Sequence, residues 1–282
     1  MFYSVDLLTL RNHYVFENFR VLCLYSTIGL SVFTFSSQAT VVEIRTSLGN
    51  IEVNLFDETT PKTVENFLSY VNSGGYVYLV VHRSVSGFII QSGGYEYTGT
   101  AVAGEVPIDI IETGLAVVNE PEYSNVRGTI AMAKLSNLPD SATSQWFINL
   151  SDNSANLDQQ NSGFTVFGQV IGDGMQIVDD IANVSTVNFG GTFTDIPMPN
   201  YTATDFNNGV VIAEENLVLI SDIVVTDETV NSAASLSPVE NTLINKPSTP
   251  IDNGSSSGGG ALGWFSLFAI ACLRFRISKI KG

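Results

Sequence analysis

Residues 82–94 read HRSVSGFIIQSGG. The stretch opens at the end of one β-branched apolar run, Val77–His82, and contains a second, Phe88–Gln91, closed by Gly93-Gly94. Short apolar runs bounded by glycine read as strands. Outward on both sides the signal recurs in Val41–Arg45, Asn50–Phe56, Thr129–Ala133, Gln145–Asn149, Phe164–Val170 and Leu217–Val225. Leu48-Gly49-Asn50 would turn the first two of these into a hairpin. Thr60-Pro61 opens a predicted helix, with Thr as cap, Pro in the first turn and Gly74-Gly75 as its stop. Its Val64, Phe67, Leu68 and Val71 share one face. A shorter helix is expected after Gly174, and the Gly/Asn/Thr/Pro-rich stretch Ser185–Gly209 reads as a long loop. Many short strands and two helices make a mainly β fold, a β-barrel capped by helices.

The ends of the chain read differently. All 282 residues would allow two domains at about 150 residues each. Val21–Phe35, however, is an uncharged apolar run behind Arg11 and Arg20, leading to Ser37-Gln38-Ala39. That is the pattern of a secretory signal peptide over residues 1–39, with a retained membrane anchor as the alternative. Residues 230–257 are rich in Ser, Asn, Pro and Thr and read as a flexible linker. Gly258-Gly259-Gly260 then leads into a short apolar run closed by Arg274, Arg276, Lys279 and Lys281. At about thirteen residues that run is shorter than the roughly 17–25 of a membrane-spanning helix. Glycine spacer, short apolar helix and basic end resemble the GlyGly-CTERM sorting tails of Gram-negative secreted proteins. The resemblance implies cleavage near the glycines and delivery to the periplasm, cell surface or exterior; a plain tail anchor is the alternative. Residues 40–229 remain as one domain.

Composition then removes several chemistries. Charged residues are 14% of the chain, against about 25% in an ordinary soluble protein. Twelve Lys and Arg stand against 28 Asp and Glu, a net charge of −16, so nucleic-acid binding is not expected. Without the two ends the imbalance grows to six cations against 26 acids, a net of −20. Cys23 and Cys272 both fall in the ends, and His82 is the one histidine left. Thiol catalysis, structural zinc and paired-histidine metal sites are therefore excluded, and no metal or cofactor is expected. The chain has no G-x-S-x-G for a serine hydrolase. Asp152–Asp158 lacks the glycine and terminal glutamate of a calcium loop.

Four segments carry a resemblance: HRSVSGFIIQSGG (82–94), IAMAK (130–134), SQWFINL (144–150) and NLDQQNSGFTVFGQV (156–170). In this order and at this spacing they resemble the signature blocks of cyclophilin-type peptidyl-prolyl cis-trans isomerases. The resemblance implies a closed eight-stranded antiparallel β-barrel capped by two α-helices. It implies rotation about X–Pro bonds in proline-containing polypeptides. With the two terminal segments, the expected clients are exported or surface proteins, and the protein is expected to be a monomer that meets a membrane only through those segments.

The chemistry agrees with the composition. Rotating an X–Pro bond faces about 18–20 kcal/mol because the amide has partial double-bond character. Twisting returns a lone pair to the prolyl nitrogen, so the reaction asks for a fixed donor and a dry pocket rather than a nucleophile or a metal. Arg83 matches the family's catalytic arginine, whose rigid charged fork would favour the twisted state over the ground state. Gln91 matches the glutamine that bonds the substrate backbone and supports the arginine. Phe88, Ile89, Met132, Phe147, Leu157 and Phe164 are matched to substrate binding. His82 is expected to be structural. Asn156 stands where cyclosporin-binding relatives carry tryptophan, and weak binding of that drug is expected. Lys134-Leu135 replaces an Asn-Ala pair, and with the long 185–209 loop it leaves an alternative: a non-catalytic proline-peptide binding module or chaperone.

Overall fold

The structure is a computed structural model that describes residues 40–99, 102–227 and 236–245. The expected signal peptide (1–39), the sorting tail (258–282) and the rest of the linker lie outside the described residues.

Strands β1 (Val41–Thr46) and β2 (Gly49–Leu55) form the expected hairpin, in register from Val41↔Asn54 to Thr46↔Gly49. Gly49 is required at its turn. Its φ is +136°, and a Cβ there would lie 2.6 Å from the Ile177 side chain. Helix α1 (Pro61–Ser73) buries Val64, Phe67 and Tyr70 and stops at Gly74, whose φ is 75°. Its start differs from expectation. The Thr60 hydroxyl makes no cap; it donates to Phe56 O at 3.2 Å. The cap comes from Glu120, whose carboxylate accepts from Thr63 N at 2.9 Å, Thr63 Oγ1 at 2.8 Å and Lys62 N at 3.3 Å. A carboxylate at a helix N-terminus satisfies orphan N–H groups and faces the positive end of the dipole.

The next strands are β3 (Leu79–Val80), β4 (Arg83–Val85), β5 (Ile89–Ser92), β6 (Tyr95–Tyr97) and β7 (Ile108–Ile110). After them come β8 (Thr129–Met132), β9 (Trp146–Asn149), helix α2 (Ser154–Leu157), β10 (Val166–Val170) and helix α3 (Gly174–Ala182). A small hairpin of β11 (Thr186–Val187) and β12 (Ile196–Pro197), helix α4 (Ala203–Asn207) and β13 (Leu219–Asp227) complete the domain. Eleven strands join one antiparallel sheet in the order β4-β5-β9-β8-β10-β2-β1-β13-β3-β6-β7. This ladder is open and longer than the eight-stranded closed barrel expected. Val77–His82 does not run as one strand: β3 pairs with β13 while β4 pairs with β5, at opposite ends of the order. The short β6–β7 hairpin then extends the sheet beyond β3.

Alternation along the strands sorts the side chains into two cores. Ile44, Ile51, Val53, Ile90, Ile130, Met132, Ile148 and Phe167 share one cluster with Phe67 of α1 and with Val178 and Ile181 of α3. Each such buried side chain contributes about 1.5–3 kcal/mol relative to exposure. Their chain neighbours Ile89, Ala131, Phe147 and Val166 belong to a second cluster with Phe56, Phe88, Leu157 and Phe164. Residues 185–209 are not the plain loop expected. They carry β11, β12 and α4, and their Val187, Ile196, Met198 and Tyr201 bury against Val80 and Leu219 in a third cluster. Two of the helices, α2 and α4, are additional to the two expected and last only one turn each. Leu236–Ile244, read as linker, packs on the domain, where Ser124 N donates to Val239 O at 2.8 Å.

Candidate active site

Antiparallel pairing of β4 with β5 sets Arg83 directly opposite Gln91. Arg83 Nη1 donates to Gln91 Oε1 at 3.4 Å, and Gln91 Nε2 donates to Gln145 Oε1 at 2.8 Å. Gln91 is buried and Arg83 half-buried. A chain of hydrogen bonds therefore holds a half-buried guanidinium through Gln91. Burial pulls the Arg83 guanidinium below its ordinary range, and the Asp195 carboxylate opposes that; an arginine so placed stays charged. Asp195 reaches this position because its carbonyl accepts from Ser84 N at 2.8 Å, so the β11–β12 hairpin abuts the arginine strand.

Beside this chain lies the second cluster. Gln91 pairs with Phe147 across β5–β9, and Phe147 meets Phe164 edge-on at 5.9 Å between ring centroids. Phe88, Ile89 and Leu157 close the group, all 5% exposed or less. Five of the six residues matched to substrate binding are thus brought together. The sixth is not. Met132 sits in the main core with Ile130 and Ile148, on the other face of β8. Ala131 and Ala133 take the site face instead, because successive strand residues point to opposite sides. His82 is 3% exposed, and burial lowers its pKa to about 3. Its ring stands edge-on to Tyr95 at 4.9 Å. The buried, neutral imidazole packs beside Tyr95 at the start of the strand that carries Arg83.

The family model for cyclophilin type peptidyl-prolyl cis-trans isomerase/CLD matches residues 41–204. The chain belongs to the cyclophilin family. A peptidyl-prolyl cis-trans isomerase of Acinetobacter baylyi is 43% identical over 164 residues, 57% of this chain and 82% of that protein. Peptidyl-prolyl cis-trans isomerase B of Escherichia coli is 38% identical over 162 residues, 56% of this chain and 92% of that protein. A crystal structure of a Cryptosporidium parvum cyclophilin type isomerase aligns over 67% of this chain and 98% of its own, with 25% identity and a TM-score of 0.48.

Two features of this cyclophilin escaped the sequence reading. Gln145 fixes Gln91 from behind; its signal was available, since it lies two residues before Phe147 and so on the same strand face. Lys134, the departure from the Asn-Ala pair, turns its side chain inward and is 1% exposed. Its Nζ donates to the carbonyls of Asn161, at 2.9 Å, and Gly163, and lies 4.7 Å from the centre of the Phe164 ring. The ammonium holds the loop that presents Phe164. Asn161 returns a bond from its amide to Leu135 O at 2.9 Å.

Proposed function

We propose that this cyclophilin isomerises X–Pro bonds with Arg83 as donor, Gln91 as its support and backbone partner, and Phe88, Ile89, Phe147, Leu157 and Phe164 as the wall for the proline ring. The observation that carries the reading is the Arg83–Gln91–Gln145 chain of hydrogen bonds beside that apolar cluster. In the planar amide the prolyl nitrogen is a poor acceptor; as the bond twists it becomes a good one. A guanidinium already fixed by Gln91 needs little reorganisation to meet it, so its bond strengthens on the way to the transition state. Charge-assisted hydrogen bonds contribute about 1.5–3 kcal/mol, a substantial share of what such a site must supply. Exchange measured by NMR on a short X-Pro peptide tests this. Wild-type protein should accelerate exchange, and Arg83→Ala should lose about 10- to 100-fold in kcat/KM. A wild-type rate equal to the uncatalysed one refutes the reading, and peptide binding without acceleration would make the domain a binding module.

Further parts of the reading rest on sequence. The signal-like residues 1–39 and the GlyGly-CTERM-like residues 258–282 support export, in a Gram-negative bacterium, to the periplasm, cell surface or exterior, with membrane contact only through those ends and folding of exported proteins as the task. The organisation is then signal, isomerase domain over 40–229, a linker over 230–257 of which Leu236–Ile244 packs on the domain, and sorting tail, working as a monomer on proline-containing polypeptides. Closure of the sheet into a barrel belongs to the same proposal. It is supported by the two-residue link between β3, which pairs with β13, and β4, which pairs with β5. Intact-mass spectrometry of secreted protein checks the processing; a mass that retains residues 261–282 overturns it.

A further inference from the structure

Leu236–Ile244 lies outside the residues that the family model matches, yet it reaches the loop behind the proline wall. It runs beside Glu122–Ser124, where Ser124 N donates to Val239 O at 2.8 Å and Asn241 N to Glu122 O at 2.9 Å. The Ser124 hydroxyl oxygen lies 3.2 Å from Glu240 O, although its proton goes to Asp158. Asn241, buried, then makes a turn of its own, with its Oδ1 accepting from Leu243 N and Ile244 N, both at 3.0 Å. Its Nδ2 donates to Asp158 O at 3.0 Å, and Gln159 Nε2 donates to Leu243 O at 3.3 Å. Leu236 packs on the Phe88–Phe147–Phe164 cluster itself.

The loop so gripped, 158–163, connects Leu157 to Phe164 and needs support from outside. Asn161, Ser162 and Gly163 hold positive φ in succession, 53°, 62° and 71°. Two of these are not glycine, and such residues adopt left-handed backbone at a cost. Lys134 and Asn119 brace one part of the turn; Asn119 Nδ2 donates to Ser162 O at 2.8 Å and Gly163 O at 3.0 Å. Asp158, fully buried, accepts from Ser124 Oγ at 2.6 Å and from Asn125 N at 2.8 Å and Nδ2 at 3.0 Å. The tail segment binds both Ser124 and Asp158, and so clamps these two pieces together.

We propose that Leu236–Ile244 is a strap, with Asn241 as a positioning residue, that holds Leu157 and Phe164 in the arrangement that binds the proline ring. This rests on reading that cluster as the proline site. Substrate affinity in this cyclophilin then depends on a segment beyond the isomerase domain proper. The strap acts on the wall of the site and leaves the donor alone, because Arg83 is held by Gln91 and Gln91 by Gln145.

The test uses the full chain with Asn241→Asp and Asn241→Ala. The first keeps the acceptor for Leu243 and Ile244 and removes the donor to Asp158; the second removes both. KM for an X-Pro peptide should rise about fivefold in Asn241→Asp, the scale of one hydrogen bond, and further in Asn241→Ala. The value of kcat should stay within about twofold of wild type, and amide exchange should accelerate at Gly163 and Phe164 while Ile148 keeps its protection. Unchanged KM in both variants overturns the proposal, as does a fall in kcat with protection lost throughout the sheet. Should wild-type protein bind the peptide without turnover, the isomerase reading fails separately. The strap is then judged by peptide Kd and by Gly163 and Phe164 exchange, and unchanged values overturn it.

Discussion

Lys134 makes the stability of the domain rise with pH above about 8. Its ammonium is 1% exposed and bonds to carbonyls; no carboxylate bonds to it among the described residues. Burial drives its pKa from 10.5 down to about 8, and Asp140 offsets this only in part. Displacement of that size corresponds to about 3 kcal/mol of penalty on the charged form. Between about pH 8 and 10.5 the unfolded chain holds a proton at this site that the folded chain has released. Stability therefore rises with pH across that window, and the penalty is present in full below pH 8. Other groups titrate there too, so the comparison is with Lys134→Met. The substitution leaves the Asn161 and Gly163 carbonyls without their donor, an offset that does not vary with pH. Urea unfolding followed by circular dichroism at steps from pH 7.5 to 11 should show wild type gaining about 3 kcal/mol on the variant. A flat difference, or one that shrinks with rising pH, refutes the account of a desolvated lysine.

Other consequences are simpler. Glu120→Ala should remove the cap of α1 and lower stability by about 1–2 kcal/mol in urea unfolding, with Glu120→Gln recovering part of it; no loss would mean that water caps the helix equally well. Because His82 is held neutral down to about pH 3 and Arg83 stays charged, kcat/KM on an X-Pro peptide should vary less than about twofold from pH 5 to 8. A midpoint near 6.5 would place a titrating imidazole in the reaction and contradict the burial.

Legibility in the sequence followed the length and alternation of each element. The β1–β2 hairpin, both longer helices and the strands that carry Ile89, Phe147 and Val166 stand out as apolar runs. β6 and β7 alternate as strands should, but with three residues each, ten residues apart, they do not rise above the surrounding glycine and polar residues. The break at Val81-His82 leaves no local mark, since both residues are buried as a continuous strand would bury them. Glu120 caps a helix that begins 59 residues earlier in the chain, and Asn241 bonds a carbonyl 83 residues away, so neither shows in a local pattern. Met132 is a different case. Ala131 and Ala133 flank it, and the period of two that identified β8 also places Met132 on the far side from Phe147.

That division of each strand between core and site bears on how such a sequence can change. Substituting Ile89 or Phe147 alters the site face and leaves Ile90 and Ile148 in their places inside. Inserting one residue before Ile89 would do neither cleanly: it would turn Gln91 into the core and expose Ile90 where a proline ring should rest. An insertion in β5, β8, β9 or β10 therefore disturbs core and site together, whereas one in a connection such as 188–192 shifts no strand register. Along these strands a change of residue is confined to one face, whereas a change of length reaches both faces at once.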